Sequence, residues 1–294
     1  MMQQRKFTSN GLAFIIPGLF FYLVFMIIPI IGTVATSFYN WSGYNLNSMR
    51  WTGISNYLEM IHDKVFWIAL TNNLKLILLI VPLQCFAGLL VAILLERNLK
   101  FSVFFRGIYF LPIVVPFVVS GLILKMLLNP TLGLGSLSIG MPISFLKNIF
   151  ATDWLGNKDT ALYVVALIDI WAAFGYSMFL FVSTLKSIPD QLYEAATVDG
   201  ASEFAKVRYI TLPMLSNTVK LVIILASIDV MKVFTEIAVM TNGGPNYSTH
   251  ALSTWTYFQA FTANQVGYAS AIATVLLFIS LIFSSIQLKM MRLK

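Results

Sequence analysis

Six charged side chains lie within or beside long apolar stretches of the chain: Lys125, Asp169, Lys220, Asp229, Lys232 and Glu236. A charge in a hydrocarbon environment is costly, so each is a candidate for function or for an internal ion pair. Lys125 and Lys220 fall near the ends of their stretches, where a long side chain snorkels to water. Asp229, Lys232 and Glu236 are spaced by three and four residues and would share one face of a single helix. They could neutralise one another as a network or line a hydrated cavity. Other chemistry is scarce. His62 and His250 fall in loops without a ligand-spaced partner, so no metal and no catalytic histidine is assigned. Cys85 is the single cysteine and lies in an apolar run, which excludes an internal disulfide and a cysteine zinc site. None of the 17 glycines is followed by lysine, so the chain has no phosphate-cradling Gly-x-x-x-x-Gly-Lys-Ser/Thr loop of its own.

The elements that carry these residues follow from composition. The 294 residues are 58% hydrophobic and 11% charged, with mean hydropathy +0.81. A soluble domain is about 45–50% apolar and about 25% charged. A water-soluble enzyme, a disordered chain and a coiled coil are thereby excluded. A helix crossing a bilayer needs roughly 20 apolar residues, because backbone polar groups there must be satisfied internally. Six stretches qualify, at approximately Leu12–Phe38, Phe66–Leu95, Val103–Leu128, Ala161–Leu185, Val219–Met240 and Ala269–Met290. The expected fold is an all-α membrane protein of about six transmembrane helices forming one domain over residues 1–294. Pro17, Pro29, Pro82, Pro112 and Pro116 lie inside these stretches, as membrane helices tolerate, often as kinks. The first stretch is too long for a cleaved signal core and reads as a retained helix.

Six spans place both termini on one side. Twelve Lys and Arg fall on that side, from Arg5 and Lys6 through Arg97, Lys100, Arg106, Lys186, Lys206, Arg208 and Lys220 to Lys289, Arg292 and Lys294. The other side holds six, Arg50, Lys64, Lys75, Lys125, Lys147 and Lys158. The basic side is cytoplasmic by the positive-inside rule, so both termini and the loop of residues 187–213 face the cytoplasm. The net charge of +7 is then accounted for by loops at a membrane rather than by nucleic-acid binding.

That loop carries the densest pattern. Ser187 could cap a helix whose first turn holds Pro189 and Asp190. Gly200 is a natural stop, Ser202 can start a second short helix, and Pro213 ends it or begins the next span. Leu192, Ala195 and Ala196 fall close together on the first helix, with Glu194 beside them. Periodicity alone allows either an amphipathic loop lying on lipid or a surface left open to a partner.

The residues themselves are more specific. Glu194-Ala195-Ala196, Asp199-Gly200-Ala201 and Ile210-x-Leu212-Pro213 resemble the EAA loop of permease subunits from ATP-binding-cassette importers. Val207 departs from the Phe usual there. Asn56-Tyr57, Phe66-Trp67, Arg106 through Pro112, Asn129-Pro130, Met240 through Pro245, Phe258-x-x-Phe261 and Gly267 through Ala271 extend the likeness over most of the chain. They are similar to the carbohydrate-uptake branch, related to maltose and glycerol-3-phosphate permeases.

The resemblance implies a type I importer permease fold in the bacterial cytoplasmic (inner) membrane. It implies that Glu194, Ala195, Ala196, Asp199, Gly200, Leu212 and Pro213 form a coupling helix docked on an ATPase. It also implies the partners: two ATP-binding subunits that hold ATP and Mg, a second, different permease chain, and an extracytoplasmic solute-binding protein. No cofactor is expected in this chain.

A sugar offers apolar C–H faces and hydroxyls, so Asp169, Trp171 and Tyr176 on the fourth span are candidates for its path, with Tyr257 outside the sixth span. Asp229, Lys232 and Glu236 join them as lining of a hydrated sugar cavity. Ordinary bundle packing is the competing role for each aromatic. Relatives often carry Asp directly after the Phe of the fifth span, where this chain has Thr235, with Glu236 next. Gly243-Gly244-Pro245 reads as a tight turn, and the resemblance turns it toward the binding protein. Two other functions compete with this reading. An ion-coupled secondary transporter would use Asp169, Asp229 or Glu236 as ion sites, but such carriers are often built from repeats and no second half is visible. An intramembrane enzyme would need ligand-spaced or nucleophile-activating histidines, and the spans contain none.

Overall fold

The computed structural model describes residues 9–96, 102–133 and 152–292. Arg5, Lys6, Arg97, Lys100, Lys147 and Lys294, which enter the count of basic residues, lie outside the described residues. In chain order the elements are α1 (Ser9–Tyr22), a π-turn at Leu23–Ile27 and α2 (Ile28–Thr36). The two-residue strands β1 (Tyr39–Asn40) and β2 (Arg50–Trp51) pair antiparallel, followed by α3 (Ser55–His62). Then come α4 (Lys64–Glu96), α5 (Ser102–Val114), α6 (Phe117–Leu127) and α7 (Ala161–Leu185). They are followed by α8 (Asp190–Val198), α9 (Glu203–Lys206), a π-turn at Val207–Thr211, α10 (Leu212–Met231) and α11 (Thr235–Met240). The chain closes with α12 (Leu252–Tyr257), a π-turn at Phe258–Thr262 and α13 (Val266–Arg292).

Among the described residues five helical runs are long and apolar enough to cross a membrane: Phe14–Thr36, Lys64–Glu96, Ala161–Leu185, Glu203–Met231 and Val266–Lys289. The bent pair α5 and α6, together long and apolar enough, brings the number to six when the pair is counted as one span. The fourth expected span matches its helix end to end, and the others differ mainly at their ends, except for two. The third stretch, expected as one helix, turns by 94° between Val114 and Phe117. Pro116 has no N–H to donate and sits just before α6 with extended ψ, so it breaks the helix rather than kinking it. The fifth stretch is broken as well. α10 stops at Met231, Lys232 caps it and α11 begins at Thr235, so Asp229, Lys232 and Glu236 do not share one helix, and the expected shared face is replaced by a bend. Val233 O, freed by that break, accepts a hydrogen bond from Ser253 Oγ, which satisfies it without water.

Proline acts differently at Pro29 and Pro213. Each is the second residue after a π-turn, in which Ile28 N–H donates to Leu23 O and Leu212 N–H to Val207 O. The wider turn makes room where a proline ring would crowd the preceding turn. Helix therefore runs from Glu203 to Met231 without a stop, and Pro213 neither ends one helix nor begins another.

Contacts divide the chain into two compact units. The first comprises Met1–Asp63 and Thr256–Phe278. Here Asn56 Nδ2 donates to Ser37 O at 2.7 Å and Tyr39 O at 2.9 Å, and the Tyr57 and Ser37 hydroxyls are 2.7 Å apart. Gly267 N–H donates to Trp41 O, and a Cβ at Gly267 would lie 2.0 Å from Tyr39 O, so only glycine permits this approach. The Tyr268 hydroxyl donates to Asp63 Oδ2 at 2.6 Å.

The second unit comprises Lys64–Trp255 and Ile279–Lys294. Its core is the packing of α4, α7 and α10 through Leu76, Ile80, Val165, Phe181, Leu215 and Val222. Lipid is as apolar as these side chains, so close van der Waals fit and interhelical hydrogen bonds hold the helices. Small residues supply the fit. A Cβ at Gly88 would meet Ser177 Cβ at 2.7 Å, and one at Gly175 would meet Tyr109 O at 2.1 Å. Beside Gly88, Gln84 Nε2 donates to Ser177 Oγ at 3.1 Å. At one end of α4 the Glu96 carboxylate pairs with Arg106 at 2.9 Å and fixes the start of α5.

Candidate functional site

The two helix breaks meet at a cavity of about 490 Å³. Val114, Val115 and Pro116 line it from the α5–α6 bend, Asp169 from α7, and Asp229, Lys232, Phe234 and Glu236 from the α10–α11 bend. Four of the charged residues singled out from the sequence are thus brought together. Lys232 Nζ and Asp229 Oδ1 are 3.8 Å apart, a loose pair between side chains 66% and 78% exposed. Such an open pair contributes little stability. The remaining carboxylates, Asp169 and Glu236, give the lining an excess of acceptors suited to hydroxyl donors.

Three aromatic candidates do not line this space. Trp171 lies two residues beyond Asp169, about 200° around α7, on the opposite side. Tyr176 shares the face of Asp169 but lies seven residues further, about 10 Å along the helix. Tyr257 belongs to the first unit, its ring 4.8 Å from that of Phe261. Lys125, expected to snorkel, is exposed and donates to Val239 O at 3.1 Å, tying α6 to α11, the two half-helices beyond the breaks. Lys220 Nζ lies 3.4 Å from Asn217 Oδ1. The bends themselves were the missed feature. Pro112 and Pro116, four apart, signalled the first; the second has no proline or glycine to mark it.

The 187–213 loop is built at its turn as its sequence suggests. Gly200 has φ +76°, with Ala201 N–H donating to Ala196 O and Gly200 N–H to Thr197 O, the paired bonds of a glycine-terminated helix. Ser202 Oγ accepts from Ala205 N–H and caps α9. Ser187 does not cap α8: its hydroxyl donates back to Thr184 O, and Pro189 occupies the cap position. Glu194, Ala195, Asp199 and Gly200 are exposed, with Ala196 partly so. Leu212 and Pro213 are exposed on the continuing helix. Val198 is 88% exposed and Phe204 74%, large apolar groups that the sequence pattern had not picked out. Beneath the loop the Tyr193 hydroxyl and Thr211 Oγ1 are 3.0 Å apart.

A third arrangement involves His250, which the sequence left without a role. Its ring is 4% exposed and packs on Trp255 at 5.2 Å and Tyr247 at 5.9 Å between centroids. Gly243, at φ +82°, leaves room for it: a Cβ there would lie 2.1 Å from the ring. Asn72 Nδ2 donates to Ser248 O and His250 O, while Asn73 Oδ1 accepts from Leu252 N–H. Two adjacent asparagines of α4 thus hold the loop at Ser248, His250 and Leu252, and Thr249 ties it to the Gly243-Gly244-Pro245 turn, its N–H donating to Gly243 O and its hydroxyl to Gly244 O. Burial pushes the His250 imidazole down to about 4, so the ring is neutral near pH 7. Among the described residues no group of His, Cys, Asp and Glu is arranged to hold a metal.

Residues 84–290 match the family model for the inner membrane component of binding-protein-dependent transport systems. The chain belongs to that family. A probable ABC transporter permease protein, YurN of Bacillus subtilis, is 37% identical to this family member over 98% of this chain and 97% of its own length. The multiple sugar-binding transport system permease protein MsmF of Streptococcus mutans is 33% identical, over 98% of both chains. Among solved structures, a chain of a bacterial alginate ABC transporter, in complex with an alginate pentasaccharide-bound periplasmic protein, aligns with TM-score 0.81. It shares 20% identity, covering 96% of this chain and 94% of its own. The inner membrane component thus has the importer permease fold with apolar spans expected from its sequence.

Proposed function

We propose that this chain is the sugar-conducting permease subunit of an ATP-driven importer, working by alternating access. The observation that carries the reading is the unbroken helix from Glu203 to Met231. At about 1.5 Å per residue it is roughly 44 Å long, enough to cross the bilayer. One end follows the Gly200 turn of the exposed loop, and the other ends beside Asp229 at the cavity. A push at the loop is therefore delivered as rigid motion to the cavity wall, with no chemistry needed in this chain.

In this reading residues 187–213 are the coupling loop of a single permease domain spanning 1–294. Glu194, Ala195, Ala196, Asp199 and Gly200 meet one of two ATP-binding subunits, which hold ATP and Mg; Leu212 and Pro213 carry the movement into the span. Asp169, Asp229, Lys232 and Glu236 line the sugar path, and Trp171, Tyr176 and Tyr257 stand outside the cavity itself. A second, different permease chain completes the translocation path, and an extracytoplasmic solute-binding protein delivers sugar. Both termini then lie in the cytoplasm, and the protein resides in a bacterial cytoplasmic membrane. The names of relatives such as MsmF support sugars as the cargo class.

The test is uptake in proteoliposomes holding the complete complex, with labelled sugar presented on its binding protein. Transport that requires ATP and ignores an uncoupler supports the reading. Transport abolished by the uncoupler and indifferent to ATP would replace it with an ion-coupled carrier.

A further inference from the structure

The segment Ile54-Ser-Asn-Tyr-Leu-Glu-Met-Ile-His62 has three distinct sides. Asn56 and Met60, four apart, are buried. Ile54, Leu58 and Ile61, four and three apart, form an exposed apolar row, at 61%, 51% and 58%. Ser55, Glu59 and His62, with the same spacing, form an exposed polar row beside it. An α-helix advances about 100° per residue, so the two exposed rows are adjacent but distinct. This division fits a helix lying along a boundary between oil and water rather than one surrounded by water.

The helix is also fixed at a definite height. Its Asn56 side chain bonds the carbonyls of Ser37 and Tyr39, and Tyr57 bonds the Ser37 hydroxyl. The apolar run of the first span ends at Thr36, one residue before that anchor. At about 1.5 Å per helical residue, α3 is therefore held within a few ångströms of where the hydrocarbon stops. Trp51, largely exposed, stacks on Phe38 at the same level, as aromatic side chains do at membrane boundaries.

We infer that α3 lies in the membrane–water interface at the far end of the first span, with Ile54, Leu58 and Ile61 inserted among lipid acyl chains and Glu59 and His62 toward water. The occupant of the apolar row is lipid. The helix acts as a float that sets the depth of the first span, whose most apolar stretch has none of its residues buried inside the protein. Insertion of the three apolar side chains is favourable in proportion to the area removed from water.

The experiment labels single cysteines with a nitrobenzoxadiazole dye in a Cys85→Ser background, in the complete complex reconstituted in phosphatidylethanolamine–phosphatidylglycerol vesicles. Leu58→Cys and, independently, Ile54→Cys are compared with Glu59→Cys. Labels at 58 and 54 should emit to the blue, resist aqueous iodide and be quenched by doxyl-labelled lipid. The label at 59 should be quenched by iodide. Equal iodide quenching at 58 and 59 overturns the proposal, because both rows are then in water. Blue emission at 58 that doxyl lipid fails to quench also overturns it, because protein then covers the row. Adding the solute-binding protein separates that partner from a permease subunit, since only its docking would shift the emission on addition.

Discussion

The Tyr193 hydroxyl lies 3.0 Å from Thr211 Oγ1, joining exposed helix α8 to the last residue of the π-turn beneath it. Thr211 is 4% exposed, so the bond is shielded from water. It bypasses the Gly200 turn, which alone would leave α8 free to swing without moving α10.

Tyr193→Phe should therefore loosen the link while leaving both helices folded. One such hydrogen bond is worth about 1 kcal/mol, or roughly a fivefold shift between engaged and disengaged arrangements. In reconstituted complex, sugar moved per ATP hydrolysed should fall while ATP hydrolysis persists. Thr211→Ser, which keeps the hydroxyl, should retain the unaltered protein's ratio, and an unchanged ratio in Tyr193→Phe would show that the tie carries no motion.

Gly200 sits at φ +76°, a conformation that proline, fixed near −65°, cannot take. Gly200→Pro should redirect α9 relative to α8, and Glu194→Lys should reverse the charge offered to the ATPase. Both variants are expected to insert and accumulate normally in membranes but to lose ATP-driven uptake. Normal uptake in both would remove the loop from the coupling path.

At the cavity, Glu236→Gln and Asp169→Asn keep shape and replace each carboxyl by an amide. Each should raise the sugar concentration for half-maximal uptake several-fold without changing the affinity of the isolated binding protein. The same measurement on Trp171→Leu, which faces away from the cavity, should show little change.

The loop around His250 should respond to acid. Its imidazole is lowered from about 6.5 to about 4 by burial, so the unfolded chain takes up the proton first as pH falls. The stabilisation is complete above about pH 6.5 and is lost progressively down to about pH 4. Thermal unfolding in detergent should shift downward over that window, and His250→Gln should flatten the dependence. Gly243→Ala should lower the midpoint at every pH, because the added methyl strikes the ring.

Length, apolar content and glycine placement carried much of the architecture. Ala161–Leu185 was legible end to end because polar loops bound it on both sides, and the Gly200 turn because only glycine takes that backbone freely. The breaks were harder. A bilayer rewards any long apolar run, so hydropathy could not distinguish one helix over Val219–Met240 from two meeting at Lys232–Phe234. The break there is compensated by Ser253, 20 residues away in sequence, which local pattern cannot anticipate. Asn72 and Asn73 likewise read as polar interruptions of a span until the carbonyls and amides they hold, more than 170 residues later, are in view.

The π-turn at Val207–Thr211 fixes a count as well as a shape. It places one more residue between Gly200 and Asp229 than an ordinary helix of the same rise would hold. A residue deleted within the turn is absorbed as it closes to α geometry, whereas one deleted or inserted elsewhere along α10 rotates part of the chain by about 100°. Either Asp229 would leave the cavity wall or the exposed loop would present a different side to its neighbour. The distance in sequence from loop to cavity is thus as constrained as the residues themselves, and substitutions along α10 should be tolerated where insertions and deletions are not.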